Sequence, residues 1–243
     1  MTIGGVLGDA FEVYRRLWRR SVVVAGLIFA IVSLANALAA RGGSAVTGLV
    51  SLLLSLVGGL LVQGALVEVV RDLHEGREPA PVAAYYDRTR GRLGTLLGSS
   101  LLYGVGVGLG LILLVVPGLI AIARWSLIVP LVMIERRGWR EAFRRSSELV
   151  RGRTGRVLVL VVVTYVIAGI ASFLIGRLFT PLPRFLEIWI GGTVAGAITA
   201  PFEAHVLTVL YYRLTEPETP VLPDEPRRAW QSVWDEERKE PPA

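Results

Sequence analysis

His74 and His205 are the only histidines in this 243-residue chain, and cysteine is absent. No H-x-x-x-H or H-E-x-x-H spacing exists, so no metal site is expected. Neither a G-x-S-x-G nor a Walker A run occurs, and a thiol nucleophile is excluded. Gly104, Gly106, Gly108 and Gly110 imitate a dinucleotide fingerprint, but they lie inside an apolar run with no preceding strand. No cofactor is expected, and the chain reads as a non-enzyme. What remains is a set of polar side chains in apolar surroundings: Arg124, Glu203, Gln63 and His205.

A charge at the centre of a bilayer costs roughly 2.5–3.5 kcal/mol on insertion scales, so each one calls for a partner or a role. Arg124 precedes Glu135 by 11 residues and Glu203 precedes Arg213 by 10. At 1.5 Å per residue these spacings place both charges about 15–17 Å from the same end of their helices. The matching depths predict an Arg124–Glu203 pair, with Gln63 and His205 extending the network from about 12 Å. Two roles fit such a pair: a clamp that specifies helix packing, or a substrate or proton site. Glu68 stands near enough to a helix end to be solvated.

The elements that position these groups follow from the charge distribution. Apolar residues make up 53% of the chain and charged residues only 19%, against roughly 25% charge in soluble domains. Residues 21–40, 42–67, 93–123 and 157–176 carry no Asp, Glu, Lys or Arg. A helix needs about 20 apolar residues to cross a bilayer core. The run 93–123 is too long for one crossing, and Pro117 and Gly118 mark where it folds back. Six spans are predicted: 21–40, 45–69, 94–115, 118–135, 157–176 and 188–212. Pro130 and Pro201 are expected to kink or open the fourth and sixth, next to the charged pair. Gly192 and Gly196, with the glycines of the third span, suit close helix packing.

Between these spans, 22 of the 26 Lys and Arg fall in one set of alternate segments and three in the other. The positive-inside rule then places both termini in the cytoplasm, and the location is a bacterial plasma membrane. The net charge of +6 gathers beside span ends, which is a topology pattern and no sign of nucleic-acid binding.

Amphipathic segments precede the odd-numbered spans. One has an apolar stripe from Ile3 to Trp18 opposite Arg15 and Arg16. Another has Trp139, Ala142, Phe143, Ser146, Leu149 and Val150 opposite Arg140, Arg144 and Arg145. A shorter version covers Val82 to Arg92. Such helices lie in the interface plane, where Arg side chains meet anionic headgroups, or dock on the bundle rim. The fold class is therefore all-α integral membrane: six transmembrane helices as three parallel-repeat hairpins, each preceded by a cytoplasmic amphipathic helix. The repeat units are about 3–70, 79–136 and 138–213, within a membrane domain 1–214.

One stretch is distinctive: Val116-Pro117-Gly118-Leu119, Arg124-Trp125-Ser126-Leu127, Pro130, Glu135, Gly138, and Glu141-Ala142-Phe143-Arg144-Arg145-Ser146-Ser147-Glu148-Leu149-Val150-Arg151-Gly152. It resembles the signature of the membrane domain of bacterial glycerophosphoryl diester phosphodiesterases, which also occurs as a stand-alone multi-pass protein. The resemblance implies six membrane helices and no established role for the stand-alone form. In bifunctional members, catalysis belongs to a separate barrel that this chain has no residues left to build.

The expectation is a non-catalytic membrane scaffold or accessory module. The alternative is a small transporter or lipid-handling protein with a polar site around Arg124 and Glu203. Anionic headgroups are the expected partners. Residues 215–243, rich in proline and acids, are expected to form a disordered tail.

Overall fold

The computed structural model describes residues 2–216 and 221, and among them every regular element is helical. The amphipathic N-terminal segment is α1 (Ile3–Arg16), and the first two long helices are α2 (Trp18–Gly42) and α3 (Ala45–His74). A short α4 (Val82–Arg90) leads to α5 (Leu93–Leu113), α6 (Val115–Arg124) and α7 (Ile128–Met133). Then come α8 (Trp139–Val150) and α9 (Thr154–Leu178). One helical turn, α10 (Arg184–Leu186), and a π-helical turn (Glu187–Gly191) run into α11 (Gly192–Thr215). Six stretches are long and apolar enough to cross a membrane: α2, α3, α5, α6 with α7, α9, and α10 through α11. This is an all-α, multi-pass membrane protein.

Local chemistry sets the element ends. The Thr2 hydroxyl accepts from the Gly5 N–H at 3.2 Å and caps α1. Ser44 does the same for α3 through the Thr47 N–H at 3.1 Å. Between α2 and α3, Gly43 takes φ 61°, the left-handed conformation that lets the chain reverse in two residues.

The prolines act differently from the expectation. The fold-back comes at Leu114, where the backbone is extended, three residues before Pro117. Pro117 and Gly118 lie in the first turn of α6, where a missing N–H costs no helical bond. Pro130 likewise sits in the first turn of α7, so the fourth span breaks one turn earlier, at residues 125–127. Pro201 lies within an uninterrupted α11. Gly118 packs against Gly110, so the hairpin of α5 and α6 is tight because neither residue has a Cβ to separate the backbones. Gly192 and Gly196 face Ser33 and Phe29 of α2 at similarly close range, whereas Gly104 and Gly108 meet nothing.

Helix α11 is the hub, packed against α1, α2, α3 and α9. Consecutive long helices also touch: α2 with α3, α5 with α6, and α9 with α11. The short helices dock on the end of the bundle that carries most of the arginines. There α1 buries Val6, Ala10 and Val13 against α11, α4 buries Tyr85 and Thr89 against α3, and α8 buries Ala142, Ser146 and Val150 against α6 and α7. An ion pair fixes each one. Arg213 binds Asp9 at 2.8 Å, Arg88 binds Asp72 at 2.9 Å, and Arg145 reaches Glu135 at 3.6 Å. Of the basic residues expected at the interface, Arg15 and Arg16 pair with Glu12 at 2.8 and 2.6 Å, Arg140 lies over the Trp139 ring, and Arg144 is exposed. The expected tail lies outside the described residues except for Thr215, Glu216 and Val221. His74 contacts the last two of these.

Candidate functional site

A break in the fourth span opens the site. Helix α6 ends at Arg124 and α7 begins at Ile128, which leaves backbone groups between them without helical partners. Ser146 of α8 satisfies two of these at once. Its hydroxyl donates to the Arg124 carbonyl at 2.6 Å and accepts from the Leu127 N–H at 3.3 Å. The Phe143 ring meets Trp125 edge-on at 5.0 Å and holds the break from the same side. Trp125 in turn lies against Gly106 of α5, where a Cβ would come within 2.6 Å of the indole.

Behind this break lies a cavity of about 140 Å³. Its polar lining is Gln63 of α3, Ser100 and Tyr103 of α5, Trp125 and Ser126 of the break, and Tyr165 of α9. Val161 and Leu207 close it on the sides of α9 and α11. By helical rise, Val161, Ser100, Tyr165 and Gln63 lie about 10–16 Å from the arginine-rich ends of their helices. Ser126 donates to the Ala123 carbonyl at 2.9 Å. Among the described residues, the side chains of Gln63, Ser100, Tyr103 and Tyr165 form no hydrogen bond within the protein. None of the four is buried, and Tyr165 is 46% exposed, so water or a ligand can reach their polar atoms.

The four groups singled out from the sequence take different places. Arg124 and Glu203 do not pair: among the described residues no ion pair within 4 Å joins them, and neither side chain has another polar partner. The break explains this. It ends α6 at Arg124 and leaves the guanidinium exposed on the bundle surface, while Glu203 is half-buried on α11. Gln63 does reach the cavity. His205 is fully buried, but it faces α1 and α2. Its Nε2 meets the Ser21 hydroxyl at 3.3 Å and its ring lies edge-on to Tyr14. Glu203 stands one turn before Leu207 on α11, but it is not among the residues that line the cavity.

A second polar cluster went unrecognised in the sequence. Glu68 is buried, not solvated, because α4 folds over the end of α3. Glu68 and Asp72, one turn apart with side chains only 5% and 0% exposed, share Arg88. Arg71 adds a contact to Glu68 at 3.4 Å. Burial alone would lower the pKa of Arg88, but the Asp72 and Glu68 carboxylates together offset this and keep it raised. Tyr85, stacked near both Arg20 and Arg88, has its phenol pushed up by burial. The signal was legible as two acids at i and i+4 on one span followed by Arg88 in the next amphipathic segment.

Six membrane-length helices, five of which line a cavity with polar groups, define the class: a multi-pass membrane protein with polar groups inside its bundle. Residues 83–214, more than half of the chain, match the family described as Domain of unknown function (DUF7847), and the chain belongs to that family. No curated protein and no solved structure matches it.

Proposed function

We propose that this protein binds a small polar molecule, or the polar end of a lipid, in the cavity behind the α6–α7 break, and acts as a transport or lipid-handling protein of a bacterial plasma membrane. The observation that carries this reading is the convergence of Gln63, Ser100, Tyr103 and Tyr165, from three different helices, on one space without protein partners. A pure scaffold would fill that space with apolar side chains, which pack a bundle at lower cost. The buried Glu68 and Asp72 near the end of a membrane-length helix, paired with Arg88 of α4, point the same way, since such charges persist where they serve a site or a specific packing. The reading assigns no bond-breaking step.

The topology belongs to the same proposal. The excess of Arg beside α1, α4 and α8 favours a cytoplasmic location for that face and for the chain ends, with its basic residues on anionic headgroups. The three short helices support a threefold repeat that closes on itself. In this reading, α1 clamps to α11, α4 to α3 and α8 to the segment that follows α7, each through an arginine and its carboxylate partners. Kinship with the membrane domain of glycerophosphoryl diester phosphodiesterases remains a proposal resting on residues 116–152, which lie inside the matched family segment.

The test is native mass spectrometry of the full chain in mild detergent, comparing wild type with Ser100→Leu, which fills the cavity, and Leu101→Phe, which changes an exposed neighbour. The expected result is a retained molecule that Ser100→Leu loses and Leu101→Phe keeps. An identical retained set in all three proteins would overturn the reading.

A further inference from the structure

We infer that the cleft between the end of α9 and the π-helical turn binds a phosphate anion, with Arg177 as its cation. The cleft lies at the arginine-poor end of the bundle and shares no lining residue with the cavity behind the α6–α7 break. Among the described residues, that end carries three arginines: Arg41, Arg177 and Arg184. Two of them are occupied within the protein. Arg41 lies over the Phe185 ring at 4.3 Å, and Arg184 binds Glu187 at 3.2 Å. The Arg177 guanidinium has no ion pair, hydrogen bond or ring contact among the described residues. It lines a cleft of about 370 Å³ instead.

Local structure builds the cleft around that charge. Thr180 donates to the Arg177 carbonyl at 2.9 Å and closes the last turn of α9. Gly191 lets this turn approach the π-helical turn, because a Cβ there would come within 3.2 Å of Phe179. Widened turns of this kind are frequent at functional sites. The Ser172 hydroxyl, which has no hydrogen-bond partner among the described residues, lines the same space as Arg177 and Thr180. A guanidinium beside hydroxyl groups is a donor set that suits the oxygens of a phosphate. Glu187 is the one carboxylate in the lining, and Arg184 already offsets its charge. The rest of the lining is apolar and includes Phe173, which is 66% exposed. Leu174 and Leu178 of the same helix are exposed beside it, a surface along which acyl chains can lie. A phospholipid headgroup and a free phosphate carry the same anionic chemistry, and only the first brings chains to that surface.

The experiment follows hydrogen exchange of the full chain in micelles of a maltoside detergent, which carries no phosphate, as phosphatidylglycerol or inorganic phosphate is added. In wild type, phosphatidylglycerol is expected to slow exchange across residues 178–187, which join α9 to the π-helical turn. Arg177→Gln should raise the phosphatidylglycerol fraction needed for half of that effect about tenfold, the equivalent of one lost hydrogen bond to a charged group. Arg177→Lys, which keeps the charge, should retain most of the protection and serves as the folding control. Arg144→Gln, which removes an exposed arginine at the other end of the bundle, should leave it unchanged and so separates this cleft from general attraction of anionic lipid. Glu187→Gln removes the competing carboxylate and should strengthen the protection. Protection by inorganic phosphate identifies a free phosphate as sufficient; protection by phosphatidylglycerol alone identifies the lipid headgroup. Absence of protection by either anion, or protection that survives Arg177→Gln undiminished, overturns the site.

Discussion

The two halves of α3 show how differently the two ends of this bundle are built. Near its start, Val46, Leu49, Leu52 and Leu53 are all more than half exposed. Near its other end, Ala65, Leu66, Val69 and Leu73 are at most 1% exposed. The first half carries no charge while the second carries Glu68, Arg71 and Asp72, so the more buried half is the less apolar one and hydrophobicity does not explain the burial. The difference comes from what covers them. At the arginine-rich end, α1, α4 and α8 wrap the long helices and create a protein core. At the other end no described residue covers these side chains, and hydrocarbon is their solvent. The comparison also explains where polar groups are tolerated. Glu68, Asp72, Ser146 and His205 all lie in the wrapped half, where side chains from neighbouring helices can reach them.

The largest expected effect tests the wrapping itself. Arg88→Met removes the cation shared by Glu68 and Asp72 and should destabilise the protein by about 2–3 kcal/mol in detergent unfolding. Breaking a buried pair costs roughly 3–5 kcal/mol, and Arg88 is partly exposed, which reduces the loss. An effect below about 0.5 kcal/mol, typical of surface pairs, would show that α4 does not bury the pair.

The comparison of halves is sharpened by two matched truncations. Leu66→Ala should cost about 2–5 kcal/mol, as in any packed core, while Leu53→Ala should cost well under 1 kcal/mol in the same micelle. Equal losses would mean that a partner or second copy covers the open half. Ser146→Ala comes next, at about 1–3 kcal/mol, because it strips the α6–α7 break of both a donor and an acceptor. Hydrogen exchange at Leu127 should rise with it, and an unchanged rate would mean the break is held by other contacts.

The smallest effect is a pH dependence in α1. The hydrogen bond from Arg16 holds the Glu12 carboxyl below its ordinary value of 4.5. A lowered carboxylate contributes stability above the unfolded value and loses it as pH falls through the folded one. Below pH 4.5, wild type should therefore lose a small increment that Glu12→Gln lacks, on the order of 0.3–0.5 kcal/mol for an exposed i,i+4 pair. Parallel acid unfolding curves for the two proteins would remove this pair from the account.

The sequence by itself determined the number and placement of the long helices, because a 20-residue apolar run has few other solvents than lipid and charge-free runs are counted directly. It also marked Arg124, Glu203 and Gln63 as polar groups within apolar stretches. What it could not decide was which of them meet. Depth along separate helices, the sole basis for pairing Arg124 with Glu203, says nothing about how those helices rotate or where one of them breaks. A proline read as a break acts as a helix start when it falls in a first turn, as at Pro117 and Pro130, and the break itself depends on Ser146 arriving from another element. The cavity and the buried Glu68–Asp72–Arg88 cluster exist only in the assembled molecule, since burial and hydrogen bonding are properties of neighbours and not of a residue's place in the chain.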